Sequence, residues 1–374
     1  MALTRLSGMG RLGRVVGPEV DLWRSGPVVL DIRRDASAVN DWSRGVRRRV
    51  YRRIWGEAAE RLGAELEELG SEFTKLSRGK VSTIAHYHEV MLDTGVHLLL
   101  ALDKGIVHGL LGDCGLPVSR HVIIDANEPA RGLDFVAATP GPCVVKPLNA
   151  SGGRGVTCGI DSVETFERAV VWARRWDSQL IVEQQAAGEE IRLLFLDGHL
   201  LGVLRRTPTQ LLADGTSTVM ELVEAENARR GHADGNLGMS DVSIDLDSLL
   251  TLERAGLNLR SVPSAGTSVA ISSTANQSGA ENTERVPHEM IAPELIEDAR
   301  TAVAAIGLRL GSVEVITPDP SRSLRSAAGV ILEVNGTPGL HYHYLVRDPA
   351  EADRVAVPIL ATLLGDDPTA YIAD

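Results

Sequence analysis

The run Cys143-Val-Val-Lys146-Pro-Leu-Asn149-Ala-Ser151-Gly152-Gly153-Arg154-Gly155-Val156 decides how the chain is read. A short apolar β run ends in a lysine and a proline. A loop of small residues follows, and a second β run extends from Val156 to Ile160. The pattern predicts a hairpin whose tip closes over a polyphosphate. Its glycines let backbone N–H groups approach phosphate oxygens with no Cβ in the way. Lys146 supplies a point charge for the same oxygens. A Walker A loop does not fit, because there the lysine follows the glycines and a helix begins. A dinucleotide-binding turn also opens a helix, whereas Gly155 opens a strand. Taken alone the run is equally readable as an ordinary turn, so the rest of the chain decides.

Two further β-type runs carry acids among apolar residues. These are Leu310-Gly-Ser312-Val-Glu314-Val-Ile316 and Gly329-Val-Ile-Leu-Glu333-Val-Asn335. Glu333 and Asn335 are two apart and share a strand face. If the two strands pair, Glu314, Glu333 and Asn335 form a patch of oxygen ligands suited to Mg²⁺ with nucleotide phosphates. The alternative is solvent-facing acids, but acids inside apolar strands generally need a partner or a metal. Between these blocks lies Leu180-Ile-Val-Glu183-Gln184-Gln185-Ala186-Ala-Gly188-Glu189-Glu190-Ile-Arg192. Glu183, Gln184, Gln185 and Ala186 form an edge that can read an adenine. Glu190 is positioned to accept ribose hydroxyls, a role carboxylates take in nucleotide sites.

In this order, over about residues 100 to 365, the blocks resemble an ATP-grasp ligase, and most nearly the ATP-grasp half of cyanophycin synthetases. The resemblance begins at Leu102-Asp103-Lys104 and Gly115-Leu-Pro117. It continues through Arg205-Arg206-Thr-Pro208, Glu226-Asn227-Ala-Arg229-Arg230-Gly231-His232 and Ala275-Asn276-Gln277-Ser278-Gly279. It ends at Pro338-Gly339 and His343. It implies an α/β (α+β) ATP-grasp fold, with the nucleotide held between two α+β subdomains and a reduced N-terminal domain. It also implies that Lys104 and Lys146 hold the α- and β-phosphates, and that Ser151, Gly152, Gly153 and Gly155 cover the γ-phosphate. Glu183 with the following backbone would bind adenine, and Glu190 the ribose. Glu314, Glu333 and Asn335 would bind two Mg²⁺, with Mn²⁺ able to substitute. Arg206 would contact the transferring phosphoryl group, with Asn276 and Arg192 close by.

Some positions depart from the family. Ser312 stands where D-alanine–D-alanine ligases carry an arginine, which argues against a simple D-alanine ligase. The Asn276 segment is less glycine-rich than the cyanophycin type. No Mur-ligase-like half with its own Walker A loop follows, so polymerisation of cyanophycin is not expected.

Composition narrows the class. Apolar residues make up 44% of the 374, enough for a good core, and aromatic residues only 4%, too few for evident base-stacking platforms. No apolar run has membrane-spanning length, and Met1 to Gly17 lacks the apolar core of a secretory signal. The net charge of −12 disfavours general nucleic-acid binding. Cys114, Cys143 and Cys158 show no metal-ligand spacing and read as reduced thiols, so a cytoplasmic location is expected. Ser43 to Arg53 is a dense basic stretch: a solvated helix face, or a patch for an acidic carrier protein or peptide. His341 and His343 alternate as metal ligands do, but no third ligand is evident and a zinc site is not expected.

Three segments are expected: an N-terminal domain at 1–98, a central subdomain at 99–186 and a metal-binding subdomain at 187–374. Strand Val28–Ile32 and helices over 41–69, 103–114, 163–176, 219–229, 293–306 and 350–364 complete the reading, with a mobile loop at Gly231–Ser243. The expected activity joins a carboxylate to an amine through an acyl phosphate. The substrates are small molecules, amino acids or short peptides, and the enzyme is a homodimer. The rivals are acylation of a carrier-protein thiol and nucleotide binding without turnover.

Overall fold

The computed structural model describes residues 36–150, 152–232, 241–277 and 279–372. Strand Val28–Ile32, Ser151, Ser278 and most of the loop at 231–243 lie outside the described residues. Ser43–Asp374 form one compact unit; of Met1–Trp42 the described part is the first turns of helix α1 (Ala36–Leu62).

Helix α1 buries Val46, Val50, Ile54, Ala58 and Leu62 at four-residue spacing, flanked by Tyr51, Trp55 and Ala59. That is the stripe a 3.6-residue period turns toward a core. The helical reading of 41–69 is corrected at its end. Gly63 (φ 59°) stops the helix, and Glu65–Leu69 is strand β1. It pairs antiparallel with β2 (Phe73–Arg78) across the Gly70 turn, an ordering that local periodicity does not carry. Strands β3 (Val81–His86) and β4 (Glu89–Val90) complete a meander in the order β1-β2-β3-β4.

Two short helices follow, α2 (Gly95–Leu102) and α3 (Lys104–Asp113). Asp103 caps α3 by accepting from Ile106 N–H, which fixes Lys104 as its first residue. Next come β5 (His121–Asp125), α4 (Ala130–Ala138), β6 (Cys143–Pro147), β7 (Thr157–Ile160), α5 (Val163–Ala173) and β8 (Gln179–Gln184). Their sheet has the order β5-β8-β6-β7, all antiparallel. The glycine run joins β6 to β7 as a hairpin, and Cys143 and Ile160 pair at its base.

The third sheet contains the acids. Strands β9 (Glu189–Leu196) and β10 (His199–Arg206) lead to β11 (Gln210–Leu212), α6 (Val219–His232) and α7 (Leu246–Arg254). Then come β12 (Ser268–Ala270), β13 (Thr283–Arg285), α8 (Pro293–Ile306), β14 (Leu310–Thr317), the short α9 (Leu324–Ala327) and β15 (Val330–Asn335). The sheet order is β13-β10-β9-β14-β15, and β11 pairs with β12 apart from it. Helix α8 starts at Pro293 and ends at Gly307 (φ 81°), as its sequence signals. The expected 350–364 helix is split into a 3₁₀ turn at Pro349–Glu351 and α10 (Ala356–Leu363).

Alternation on β9 and β14 separates core from site. Ile191, Leu193, Phe195, Val313 and Val315 face α8 and α3 in one buried cluster. Burying each such side chain stabilises by about 1.5–3 kcal/mol. Glu190, Arg192, Ser312 and Glu314 therefore share the opposite face. Gly188 links this sheet to β8. It has φ 127°, and a Cβ there would lie 2.2 Å from the Thr317 carbonyl carbon. Gly188→Ala is expected to destabilise by about 3 kcal/mol or more, read as a lowered urea midpoint. An unchanged midpoint would mean that this crossing can relax. No single helix among the described residues is long and apolar enough to cross a membrane.

Candidate active site

Strands β6 and β8 pair with Val144 opposite Glu183 and Lys146 opposite Ile181, so Lys146 and Glu183 lie diagonally on one face. Their Nζ and Oε1 are 2.8 Å apart, with 6% and 2% of the side chains exposed. Glu183 Oε2 is buried with no protein partner. His108 of α3, itself buried, stands edge-on to His121 nearby. Burial pushes its pKa down to about 4, and the charge of Lys146 adds to this. A neutral ring beside the buried lysine avoids like-charge repulsion.

Lys104 bridges two parts of the site. Its Nζ donates to the Ala150 carbonyl at 2.7 Å, in the hairpin loop, and lies 3.3 Å from Glu333 Oε1. Gly152 and Gly153 hold φ of 67° and 71° in that loop. A Cβ on Gly153 would fall within 2.7 Å of the Asn276 side chain, so the loop lies directly against Asn276. Asp247 reinforces this, accepting from Cys158 N–H on β7 (2.9 Å) and from Ser273 N–H (2.8 Å) in the segment leading to Asn276.

Strands β14 and β15 pair as required, with Glu314 opposite Glu333 and Ser312 opposite Asn335. Asn335 Nδ2 is 3.3 Å from Glu314 Oε1. Arg192, opposite Glu314 on β9, donates to the same oxygen at 2.5 Å. Arg206 lies 3.0 Å from Glu190 and 3.7 Å from Glu314, and donates to the Ala275 carbonyl at 2.7 Å. The guanidinium carbons of Arg192 and Arg206 sit 5.1 and 4.6 Å from the Tyr342 ring centroid. The Nε atoms of both arginines are buried without a protein partner.

The donor set fits a divalent ion and a nucleotide taken together. Lys104, Lys146, Arg192 and Arg206 balance Glu183, Glu190, Glu314 and Glu333. A purely acidic patch would attract bare cations and a purely basic one free anions. The balanced cluster suits an ion already carrying phosphates. Glu314 and Glu333 are only two carboxylates, so an ion bound there would need phosphate oxygens and Asn335 to complete its sphere. Among the described residues, no group of three or more His, Cys, Asp and Glu could hold a metal ion. Two buried N–H donors without partners are what an incoming anion would satisfy.

The structure brings Lys104, Lys146, Glu183, Glu190, Arg192, Arg206, Asn276, Glu314, Glu333 and Asn335 to one region, with Gly153 of the hairpin loop against Asn276, whereas Gly155 lies against Pro147 and Trp176 and a Cβ on Gly152 would meet nothing within 4 Å. Of the residues expected to read an adenine, two are engaged within the protein. Gln184 and Gln185 donate their N–H groups to the Arg120 and Pro142 carbonyls. Gln185 Oε1 also accepts from Gly159 N–H, which leaves Ala186 and the Glu183 carboxylate. Tyr342, His108 and Asp247 were not anticipated. Only the aromatic at 342 inside His341-Tyr342-His343 offered a local signal.

Burial pushes the Glu190 carboxyl up to about 7, against the opposing pull of Arg206. The unfolded carboxyl titrates near 4.5, so the folded state holds the proton longer. Its stabilising contribution is full below that value and is lost as pH rises through about 7. Glu190→Gln should therefore flatten the fall in stability between pH 5 and 8, measured by urea unfolding without nucleotide. An unaltered slope would assign it to other groups.

Strand order, glycine hairpin and the acid–base patch between the sheets fit the ATP-grasp fold, and the chain has that fold. A bifunctional glutathione synthetase from Pasteurella multocida superposes with a TM-score of 0.51 at 21% identity, over 80% of this chain and 41% of that one. In sequence it is similar to cyanophycin synthetases. That of Trichormus variabilis is 36% identical over 247 residues, covering 65% of this chain and 27% of the relative. That of Geminocystis herdmanii is 33% identical over 273 residues, covering 72% and 31%. The chain thus spans less than a third of the length of these relatives. No protein-family model matches the sequence.

Proposed function

We propose that this chain is an ATP-dependent carboxylate–amine ligase acting through an acyl phosphate. Its substrates are amino acids or short peptides, in the synthesis of a small peptide or specialised metabolite. The observation that carries this reading is the pair of buried guanidinium groups of Arg192 and Arg206, their Nε donors unpartnered, stacked on Tyr342 beside Glu314. Lys104 and Lys146 hold the α- and β-phosphates, and the N–H groups of Gly152 to Gly155 cover the γ-phosphate. Glu183 Oε2 accepts from the adenine amino group, and Glu190 from the ribose.

A substrate carboxylate oxygen attacks the γ-phosphorus, and the bond to ADP breaks. The amine nitrogen then attacks the acyl carbon, the carbon–oxygen bond to phosphate breaks, and the nitrogen's proton leaves to phosphate or solvent. Arg192 and Arg206 offset the charge that develops as the phosphoryl group moves. Two Mg²⁺ held by Glu314, Glu333 and Asn335 would supply Lewis-acid neutralisation of the phosphate oxygens. Holding the carboxylate in line replaces a bimolecular encounter. The working division is 1–98, 99–186 and 187–374. A carrier-protein acceptor is less favoured, since Arg48 and Arg52 of the basic stretch turn to Glu68.

The test is ADP release from Mg·ATP with amino acids singly and in pairs, with mass spectrometry of the products. Stimulated release and a product equal to two substrates minus water are expected. No stimulation by any amino acid or dipeptide, with ATP bound, would overturn the reading.

A further inference from the structure

The segment before the nucleotide-binding sheets reaches the 3₁₀ turn (Leu340–His343) that carries Tyr342. Tyr51 of α1 is 2% exposed, and its hydroxyl shares a hydrogen bond with His341 Nδ1 at 2.8 Å. The two rings meet edge-on at 5.9 Å, and His88 lies 5.7 Å from Tyr51 on another side. His88 occupies the two-residue turn between β3 and β4, directly after Tyr87. Tyr87 has φ 54°, a conformation that costs a non-glycine residue about 1–3 kcal/mol and persists only where packing enforces it. Here the Tyr87 ring packs on Tyr51 at 5.9 Å, and Trp55 Nε1 donates to the Tyr87 carbonyl at 2.7 Å. The strained turn is thus clamped in the position that sets His88 beside Tyr51.

His88 Nδ1 is buried with no protein partner. Its charged surroundings are Arg47 on α1, whose guanidinium carbon lies 5.7 Å from the ring centroid of the adjacent Tyr87, and Arg192 on β9, with Glu89 on β4 and His86 on β3. For His341 they are Arg47, Arg192 and Arg206, with His88. Burial holds His88 down at about 4 and His341 well below its usual value, so both rings are neutral near pH 7. Tyr51 and His341 satisfy each other, which leaves His88 Nδ1, beside the charges of Arg47 and Arg192, as the unpartnered group. An imidazole N–H next to guanidinium charge suits an anion that accepts hydrogen bonds, which is the chemistry of a carboxylate.

We propose that α1 and the β3–β4 turn form one wall of an amino-acid subsite, where His88 and Arg47 take a substrate carboxylate and Tyr51 positions His341. That the bound amino acid is a substrate rests on the ligase reading. The amine-bearing substrate keeps its carboxylate through the reaction, whereas the carboxylate that is phosphorylated is consumed, so we assign a standing carboxylate subsite to the amine-bearing one. Tyr51 acts at one remove, by fixing the turn whose next residue, Tyr342, lies under both arginines.

Calorimetric titration of the full chain with the twenty amino acids, and with the α-carboxamide of each, tests this without turnover. At least one amino acid should bind about 10-fold or more tighter than its carboxamide, the range expected for a charge-assisted contact. His88→Gln and Arg47→Met should each reduce that preference severalfold, with Mg·ATP affinity and melting unchanged. Equal binding of acids and amides by the native chain, or an undiminished preference in both variants, overturns the subsite. A His88-dependent preference without ADP release would sink the ligase reading and leave the subsite standing. Stimulated ADP release with an unaltered amino-acid KM in both variants would do the reverse.

Discussion

Lys146→Met is expected to destabilise the protein by about 3–5 kcal/mol, the cost of stranding a buried charge. The lysine is the ion-pair partner of Glu183 at 2.8 Å, in a spot with 6% and 2% of the side chains exposed. The paired variant Lys146→Met/Glu183→Gln should recover most of that loss, because replacing both members of a buried pair by neutral groups is nearly neutral. ADP release should stay depressed about a thousandfold or more in both, since neither supplies a cation to the phosphates. Urea midpoints and ADP release separate the two effects. A paired variant as unstable as the single one would show that Glu183 is not the source of the loss.

Glu333→Ala should behave in the opposite way. Its side chain is 26% exposed and its ion-pair partner is Lys104 at 3.3 Å, so removal should cost no more than about 1 kcal/mol. Turnover should nevertheless fall by about a thousandfold, because a ligand to an ion that neutralises transferring phosphate is worth several kcal/mol in the transition state. The magnesium concentration giving half-maximal ADP release should also rise. A variant that turns over normally at low magnesium would exclude Glu333 as a ligand.

What the sequence made legible were features encoded within a dozen residues. The hairpin around Gly152 and Gly153 announced itself by two β runs flanking glycines, and the helix over 103–114 by its stop at Gly115-Leu-Pro117. The convergence of Glu314 and Glu333 needed one added assumption, that their strands pair, and they do. Other features were hidden because they depend on sheet order or on distant segments. Lys146 meets Glu183 only because β8 lies between β5 and β6. Tyr51 meets His341 across 290 positions. Strand β1 was read as more helix because Glu65-Leu-Glu-Glu-Leu69 satisfies a helical period as well as a strand's, and its pairing with β2 overrides propensity. The stack of Arg192 and Arg206 on Tyr342 joins two strands to a 3₁₀ turn more than a hundred residues away, which no local pattern signals.

Asp247 holds β7 and Ser273 through backbone N–H groups on a single carboxylate. The β6–β7 hairpin and the segment leading to Asn276 are thereby tied to each other. Under the proposed function, a nucleotide that draws the hairpin down would carry the opposite wall with it, and a substrate resting on Asn276 would resist the hairpin's return. Each ligand's affinity would then depend on the other's presence, and thermodynamic reciprocity requires the same factor in both directions.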